Sequence, residues 1–307
     1  MGIYKLIFLG LFFLASFVKG AGKMHHLLPD EDSLRDKKGL RSELIRLSKS
    51  IHARVGISIT ILETRDTLEI NGNDPYPMQS TYKYPIALFV LHEVDLGKWK
   101  LNQEIQLRSN EILTNLWGTI KDSIPMGGKM KLSSLISHMI QESDNTACDV
   151  LIDRMGGCET INRWVHSLGV REMEIKTNER IQQSQEKIQY KNWAWPRAFN
   201  ELSKLLVEGK VLSKESGNYL LYLMANSNTG AKRIRAGLPK GTYLAHKTGS
   251  SSTINGFTAA TNDAGIIRLP NGNHLALTVF VSDSNASQEK NEGLIARISK
   301  AVWDFYK

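Results

Sequence analysis

A serine three residues before a lysine puts a hydroxyl and an amine on one face of a helix. A neutral, desolvated amine there can take the hydroxyl proton and leave an oxygen nucleophile. The chain contains this spacing four times, at Ser16/Lys19, Ser80/Lys83, Ser184/Lys187 and Ser287/Lys290. Spacing alone therefore selects nothing, since solvated serine and lysine are the ordinary condition of both residue types. Ser80 is set apart by its surroundings: it lies in Pro77-Met78-Gln79-Ser80-Thr81-Tyr82-Lys83-Tyr84-Pro85, directly ahead of the apolar run Ile86-Ala87-Leu88-Phe89-Val90-Leu91. It opens a buried helix, where unpaired N–H groups and the positive dipole end meet the nucleophile. Pro85 lacks an N–H and crowds the carbonyl four residues back, which predicts an irregular opening turn.

Two further motifs accompany this one. Ser143-Asp144-Asn145 stands once, at the start of a helical stretch, and Lys247-Thr248-Gly249 stands once, in a run that reads as a strand. No Gly-x-Ser-x-Gly elbow, Gly-x-Gly-x-x-Gly loop, Walker loop, Cys-x-x-Cys or His-Glu-x-x-His occurs, so neither a metal nor a cofactor is expected. The three motifs, in this order and at these wide intervals, are the set found in class A serine β-lactamases and penicillin-binding proteins. Over essentially the whole chain after residue 20 the sequence resembles the class A serine β-lactamases, most closely the extended-spectrum branch typified by the PER and VEB enzymes. Met78-Gln79, Gln189-Tyr190-Lys191-Asn192-Trp193 and Ala259-Ala260-Thr261-Asn262-Asp263 add to the resemblance.

The resemblance implies a role for each motif. Ser80 attacks the strained lactam carbonyl while Lys83 accepts or relays its proton. The backbone N–H groups of Ser80 and Ser250 form the oxyanion hole. Ser143 passes a proton to the departing lactam nitrogen, Asn145 holds Lys83 and the substrate's side-chain amide, and Asp144 braces the turn. Period two along a strand places Thr248 and Ser250 on one side, where their hydroxyls can bind a substrate carboxylate beside the charge of Lys247. Gly249 lets the substrate approach closely. Glu179, in Thr177-Asn178-Glu179-Arg180, falls where the family carries the general base for the hydrolytic water. Read by itself it is a solvated acid. Whether Glu179 or Lys83 activates Ser80 is left open.

The sequence departs from the family pattern in four places. Gln183 stands where an asparagine commonly helps hold the water. Thr177 and Asn192 occupy the positions of an arginine–aspartate pair that pins the Glu179 loop in many members. The arginine common on the strand after Lys-Thr-Gly is missing near Thr258, and Arg233 matches an alternative position for binding carboxylate, with a surface charge as its plain reading. Trp117 aligns with an aromatic at the cleft mouth, and a core tryptophan is an equally open reading.

The elements that must position these groups follow from periodicity. Apolar residues recur every three to four positions from 32 to 51, the mark of an amphipathic helix. Residues 55–62 and 67–70 read as a hairpin, and residues 85–224 carry helical spacing. Strands are expected at 242–246, 256–260, 265–269 and 274–281, with a turn at Asn262-Asp263-Ala264, and a helix closes the chain over 291–306. The expected class is α/β of the α+β sandwich kind. It comprises an antiparallel sheet flanked by helices, built from residues 21–80 and 225–307, with residues 81–224 inserted as an all-helical lobe. The site belongs in the cleft between the two.

The 307 residues, 41% hydrophobic and 23% charged, exclude a disulfide-stapled mini-protein, a disordered chain and a fibrous one. Lys5, the apolar residues 6–18 and the small residues Val18 and Gly20 read as an export signal cleaved after Gly20. Thirteen apolar residues fall short of the roughly 20 that span a bilayer. The expectation is a periplasmic or secreted monomer acting on a small-molecule β-lactam. The formal charge of +8 does not imply nucleic acid or a membrane surface, because the basic residues are scattered among acids. Cys148 and Cys158 fall about 10–15 Å apart if a helix runs from residue 145 and stops at Gly156-Gly157, which disfavours pairing. Two rivals share the acylation residues: a peptidoglycan DD-peptidase, against which Glu179 argues, and a β-lactam-sensing domain that acylates without turnover.

Overall fold

The computed structural model describes residues 31–307, so the expected export segment lies outside the described residues. The run Arg54–Ile61 (β1) alternates nothing: seven of its eight residues are buried, as befits a central strand covered on both faces. It pairs with Thr67–Ile70 (β2) through a turn in which Arg65 takes φ 60°. On its other side lies His274–Ser284 (β11), antiparallel in the register Ile57↔Val279. Next come Phe257–Arg268 (β10) and Leu244–Ser250 (β8), giving the order β2-β1-β11-β10-β8, with Thr253–Ile254 (β9) paired to the start of β10. Residues from the two ends of the chain thus share one antiparallel sheet.

One turn expected from sequence does not exist. Residues 257–268 run as a single strand through Asn262-Asp263-Ala264. Both polar side chains are completely buried and bonded to neighbours: the Asn262 Nδ2 donates to the carbonyls of Pro77 and Met78, its Oδ1 having no donor among the described residues, and Asp263 bonds the His246 ring and the Ile234 N–H. Turn-forming residue types occupy a central strand because tertiary partners replace the local hydrogen bonds these side chains otherwise seek.

Glu31–Ser48 (α1) and Gln288–Tyr306 (α10) cover one face of the sheet, and their apolar sides meet Ile57, Val279 and Val281 in one core. Ser287, one of the four serines with a lysine three residues on, is the N-cap of α10, accepting from the Lys290 N–H. The other face packs on a second core formed by Lys83–Asp95 (α2), Leu132–Gln141 (α4), Asn145–Arg154 (α5), Gly157–Ser167 (α6), Pro196–Val207 (α8) and Lys214–Ala225 (α9). This middle stretch also contains the short helices Ile120–Ser123 (α3) and Glu179–Gln182 (α7).

The middle is not all helical. Glu104–Leu107 (β4) pairs with Gly128–Lys131 (β5), and Tyr76–Pro77 (β3), Met173–Glu174 (β6) and Trp193–Ala194 (β7) form a small three-stranded sheet. Strands of two to four residues are too short for period two to show in sequence. The β3-β7-β6 sheet ties the Ser80 segment to both limbs of the Glu179 loop. Cys148 in α5 is buried, Cys158 in α6 is partly so, and neither is paired.

Candidate active site

Ser80 sits in a tight 3-10 turn, Gln79–Tyr82, that runs directly into α2. This is the irregular opening that Pro85 imposes, and it leaves early N–H groups of the turn without helical partners. Gln79 just before it has φ 48°, and Ser143 has φ 59°. These are two of only six non-glycine residues at positive φ among the described residues, both beside the groups whose chemistry is in question. The β8 strand passes against this turn so closely that a Cβ at Gly249 would lie 2.5 Å from the Met78 carbonyl oxygen and 3.1 Å from the Ser80 nitrogen. Only glycine permits that approach.

Lys83 is completely buried and spends all three of its N–H donors: on Ser80 Oγ (3.1 Å), the Ser143 carbonyl (2.8 Å) and Asn145 Oδ1 (2.5 Å). Glu179 Oε1 lies 3.0 Å from the same nitrogen, with both side chains wholly inaccessible. Because the donors point elsewhere, Oε1 receives no hydrogen bond among the described residues. It is a buried acceptor held by the charge of Lys83, the same nitrogen that bonds Ser80 Oγ. Oε2 takes two long contacts, from Gln182 Nε2 at 3.3 Å and Gln183 Nε2 at 3.5 Å.

On the opposite wall, Lys247 Nζ donates to Ser143 Oγ at 3.0 Å. Burial, aided by repulsion from Lys83, moves its ionisation well below the usual lysine range. Ser143 therefore joins two lysines, its carbonyl to Lys83 and its hydroxyl to Lys247. Asp144 braces the turn as the sequence suggests: one carboxylate oxygen accepts from the Thr119 and Ile120 N–H groups, and the other caps α5 at the Ala147 N–H.

The Glu179 loop is held by single residues where an ion pair was absent from the sequence. Asn192 Oδ1 accepts from the Lys176 and Thr177 N–H groups, and its Nδ2 donates to the Thr177 carbonyl and Gln182 Oε1. One neutral amide thereby closes the base of the loop. From α5, Asp149 accepts from the Glu179 N–H at 2.6 Å and the Arg180 N–H at 3.0 Å. Burial, opposed by the Arg180 N–H and reinforced by the charge of Glu179, lifts the Asp149 carboxyl to about 6.

A carboxyl raised in the folded state binds protons there that the unfolded chain releases, so its contribution to stability falls as pH rises from about 4 to about 6. Removing it with D149N removes that slope. The melting temperature of D149N minus that of the unsubstituted protein should therefore become more positive across this window. Thermal melts in matched buffers decide it, and a difference that is constant or decreasing contradicts the assignment.

Ser80, Ser143, Asn145, Thr248, Ser250, Arg233 and Trp117 all line one cavity of about 440 Å³ between the sheet edge and the helical core. The profile of the Beta-lactamase enzyme family matches residues 39–306 of this chain. The chain belongs to the β-lactamase enzyme family. It is 38% identical over 263 residues to β-lactamase VEB-1 of Pseudomonas aeruginosa, covering 84% of this chain and 87% of that protein. Extended-spectrum β-lactamase PER-1 of the same organism is 36% identical over 255 residues, covering 82% of each. Among solved structures, a β-lactamase from Chitinophaga pinensis DSM 2588 superimposes with a TM-score of 0.85 at 43% identity, over 87% of this chain and 98% of that one. The fold is that of the class A β-lactamases, in the PER/VEB-like branch.

Within this β-lactamase, Arg233 is no surface charge. It is 4% exposed, and its guanidinium donates to the carbonyls of Gly249 and Asn262 and to Ser250 Oγ (2.6 Å), with Glu292 on Nε. The fork of donors crosses from β8 to β10 and fixes the Ser250 hydroxyl at the cavity wall. Thr248 is fixed from the other side by Thr229, hydroxyl to hydroxyl at 2.7 Å. Trp117 is 68% exposed at the mouth, anchored by its ring N–H on the Glu142 carbonyl, so it belongs to the cleft and not to a core. Sequence reasoning gave no role to Asp149 or to Gln182. The only signal for Asp149 was its position four residues after Asn145, one turn along the same helix face.

Proposed function

We propose that this β-lactamase hydrolyses the β-lactam ring through a Ser80 acyl-enzyme, and that cephalosporins are among its substrates. The observation that carries this reading is the arrangement of Glu179 beside Lys83. A buried carboxylate oxygen with no hydrogen-bond donor among the described residues lies 3.0 Å from the lysine nitrogen that bonds Ser80 Oγ, able to accept a proton from a water and direct that water at the acyl carbonyl. Lys83, an ammonium donating to Ser80 Oγ in this state, takes the serine proton once it has lost one of its own, to Glu179 Oε1 at 3.0 Å or to solvent. The N–H groups of Ser80 and Ser250 supply the oxyanion hole, on either side of the close approach at Gly249.

Ser143 delivers a proton to the lactam nitrogen, and the depressed ionisation of Lys247 lets the Ser143–Lys247 pair share that proton instead of trapping it. Asn145 positions Lys83 and the substrate amide. Lys247, Thr248, Ser250 and Arg233 face the substrate carboxylate, and Trp117 flanks the entrance. The extended-spectrum activity named for PER-1 is the support for cephalosporins. We further take residues 21–80 and 225–307 as one discontinuous α/β domain with 81–224 inserted, and the exported chain as a periplasmic or secreted monomer without nucleic-acid or membrane partners. Among the described residues no helix is long and apolar enough to cross a membrane.

Purified protein lacking residues 1–20, mixed with a chromogenic cephalosporin, tests the reading. Steady hydrolysis over many turnovers supports it. A single stoichiometric burst followed by a stable serine adduct on intact mass indicates a DD-peptidase or a sensing domain instead, and no reaction at all removes Ser80 as the nucleophile.

A further inference from the structure

Beyond the groups that touch the substrate, the second limb of the Glu179 loop is tied to the sheet by a pair remote from the cavity. Tyr190 lies in the 3-10 turn Ile188–Lys191, and its hydroxyl donates to Asp283 Oδ1 at 2.5 Å, across 93 positions of sequence. Asp283 stands near the end of β11 with φ 54°, a conformation aspartate adopts only at a cost. Its other oxygen accepts from Arg54 Nε at 2.8 Å, and Arg54 also donates to the Pro75 carbonyl and lies over the Tyr76 ring. Partial burial and the neighbouring carboxylate raise the Tyr190 ionisation above the usual range, so the phenol stays a donor at all working pH values.

The residues flanking Tyr190 lead directly to the reacting groups. Gln189 Oε1 accepts from Gln79 Nε2 at 2.6 Å, and Gln79 Oε1 in turn accepts long contacts from Gln182 and Gln183, the two amides that face Glu179 Oε2. On the other side, Asn192 closes the loop base and its carbonyl accepts the Met78 N–H.

We propose that Tyr190, held by Asp283 and Arg54, is a positioning residue for Glu179: it pins the returning limb of the loop to the sheet and so sets where the carboxylate stands relative to Ser80. A pin of this kind sits on the limb that returns from Glu179, so its loss should tell on the deacylation that Glu179 serves. Its loss lets Gln189 and Asn192 relax, and a displacement on the order of 1 Å costs a general base much of its effect. This inference rests on the hydrolytic reading above, so the unsubstituted protein is assayed first: absence of turnover there removes that reading, whatever the variants do.

With turnover established, Y190F removes one hydroxyl and keeps the ring. Breakdown of a penicillin acyl-enzyme, followed by intact-protein mass spectrometry after rapid mixing, should slow about tenfold. In an E179A background the same substitution should change the residual breakdown rate by less than about twofold, because the group it positions is gone. D283A should reproduce Y190F, and D283N, whose amide oxygen still accepts the phenol, should fall nearer the unsubstituted protein than D283A does. An equal slowing by Y190F with and without Glu179, or no slowing in the presence of Glu179, overturns the proposal. The first outcome would assign Tyr190 to general loop packing, and a drop in melting temperature by itself would not reproduce the dependence on Glu179.

Discussion

Replacing Glu179 with alanine should turn this enzyme into one that acylates and stops. Lys83 keeps its bonds to Ser80, Ser143 and Asn145 in E179A, so the serine retains its partner and attack on the lactam continues. What is lost is a buried carboxylate oxygen, 3.0 Å from Lys83 Nζ, that receives no donor among the described residues. Removal of a positioned general base costs on the order of 10²–10⁴ in rate, and the whole loss should fall on release of the acyl group. Mixed with a penicillin, E179A should gain the mass of one intact substrate molecule, persistent over hours, while steady turnover falls about a thousandfold. Two results contradict the assignment. One is turnover near that of the unsubstituted enzyme, which places the base elsewhere. The other is failure to form any adduct, which makes Glu179 essential for acylation and favours it over Lys83 as the group that activates Ser80.

The Lys83→Ala variant should lose more, and in two measurable ways. The first is chemical: Ser80 Oγ loses the amine that, among the described residues, lies within hydrogen-bond reach, and second-order acylation should fall by about 10³ to 10⁴. The second is thermodynamic. Lys83 and Glu179 are a buried ion pair, and taking one partner away leaves an uncompensated charge, a change that costs roughly 3–5 kcal/mol in comparable sites. Melting curves of K83A should therefore lie well below those of the parent at pH 7. A melting temperature equal to the parent's at pH 7 would show that the pair is not the buried, mutually dependent unit described above.

Much of the site was legible in the sequence because the chemistry needs particular atoms at short spacing on one element. Ser80 and Lys83 share one turn, Ser143 to Asn145 share another, and Lys247 to Ser250 alternate along one strand. The apolar run after Pro85 and the β-branched run at residues 55–62 likewise announced a buried helix and a strand, and burial on all sides of both is why no polar face interrupts the pattern. Other features were not legible. Asn262 and Asp263 are turn formers by type and strand residues by place, for their partners Pro77, Met78, His246 and Ile234 arrive from distant parts of the chain.

The same division holds for function. In the sequence, the context of Ser80 and Lys83 together with the two further motifs, and the family resemblance they carry, pointed to a nucleophile, its amine and acyl transfer, because these groups lie within short stretches of chain. The tertiary structure alone decided how Glu179 is held: by the amide of Asn192 in place of an ion pair, by the carboxylate of Asp149 on α5, and through Gln79, Gln189 and Tyr190 by Asp283 and Arg54 on the far sheet. It also decided that Arg233 is a buried clamp on Ser250 and that Trp117 stands at the cavity mouth. These contacts join residues separated by 15 to 229 positions. A hydrogen bond depends only on distance and angle in space, so no pattern along the chain encodes it until the sheet and the helices have closed around the site.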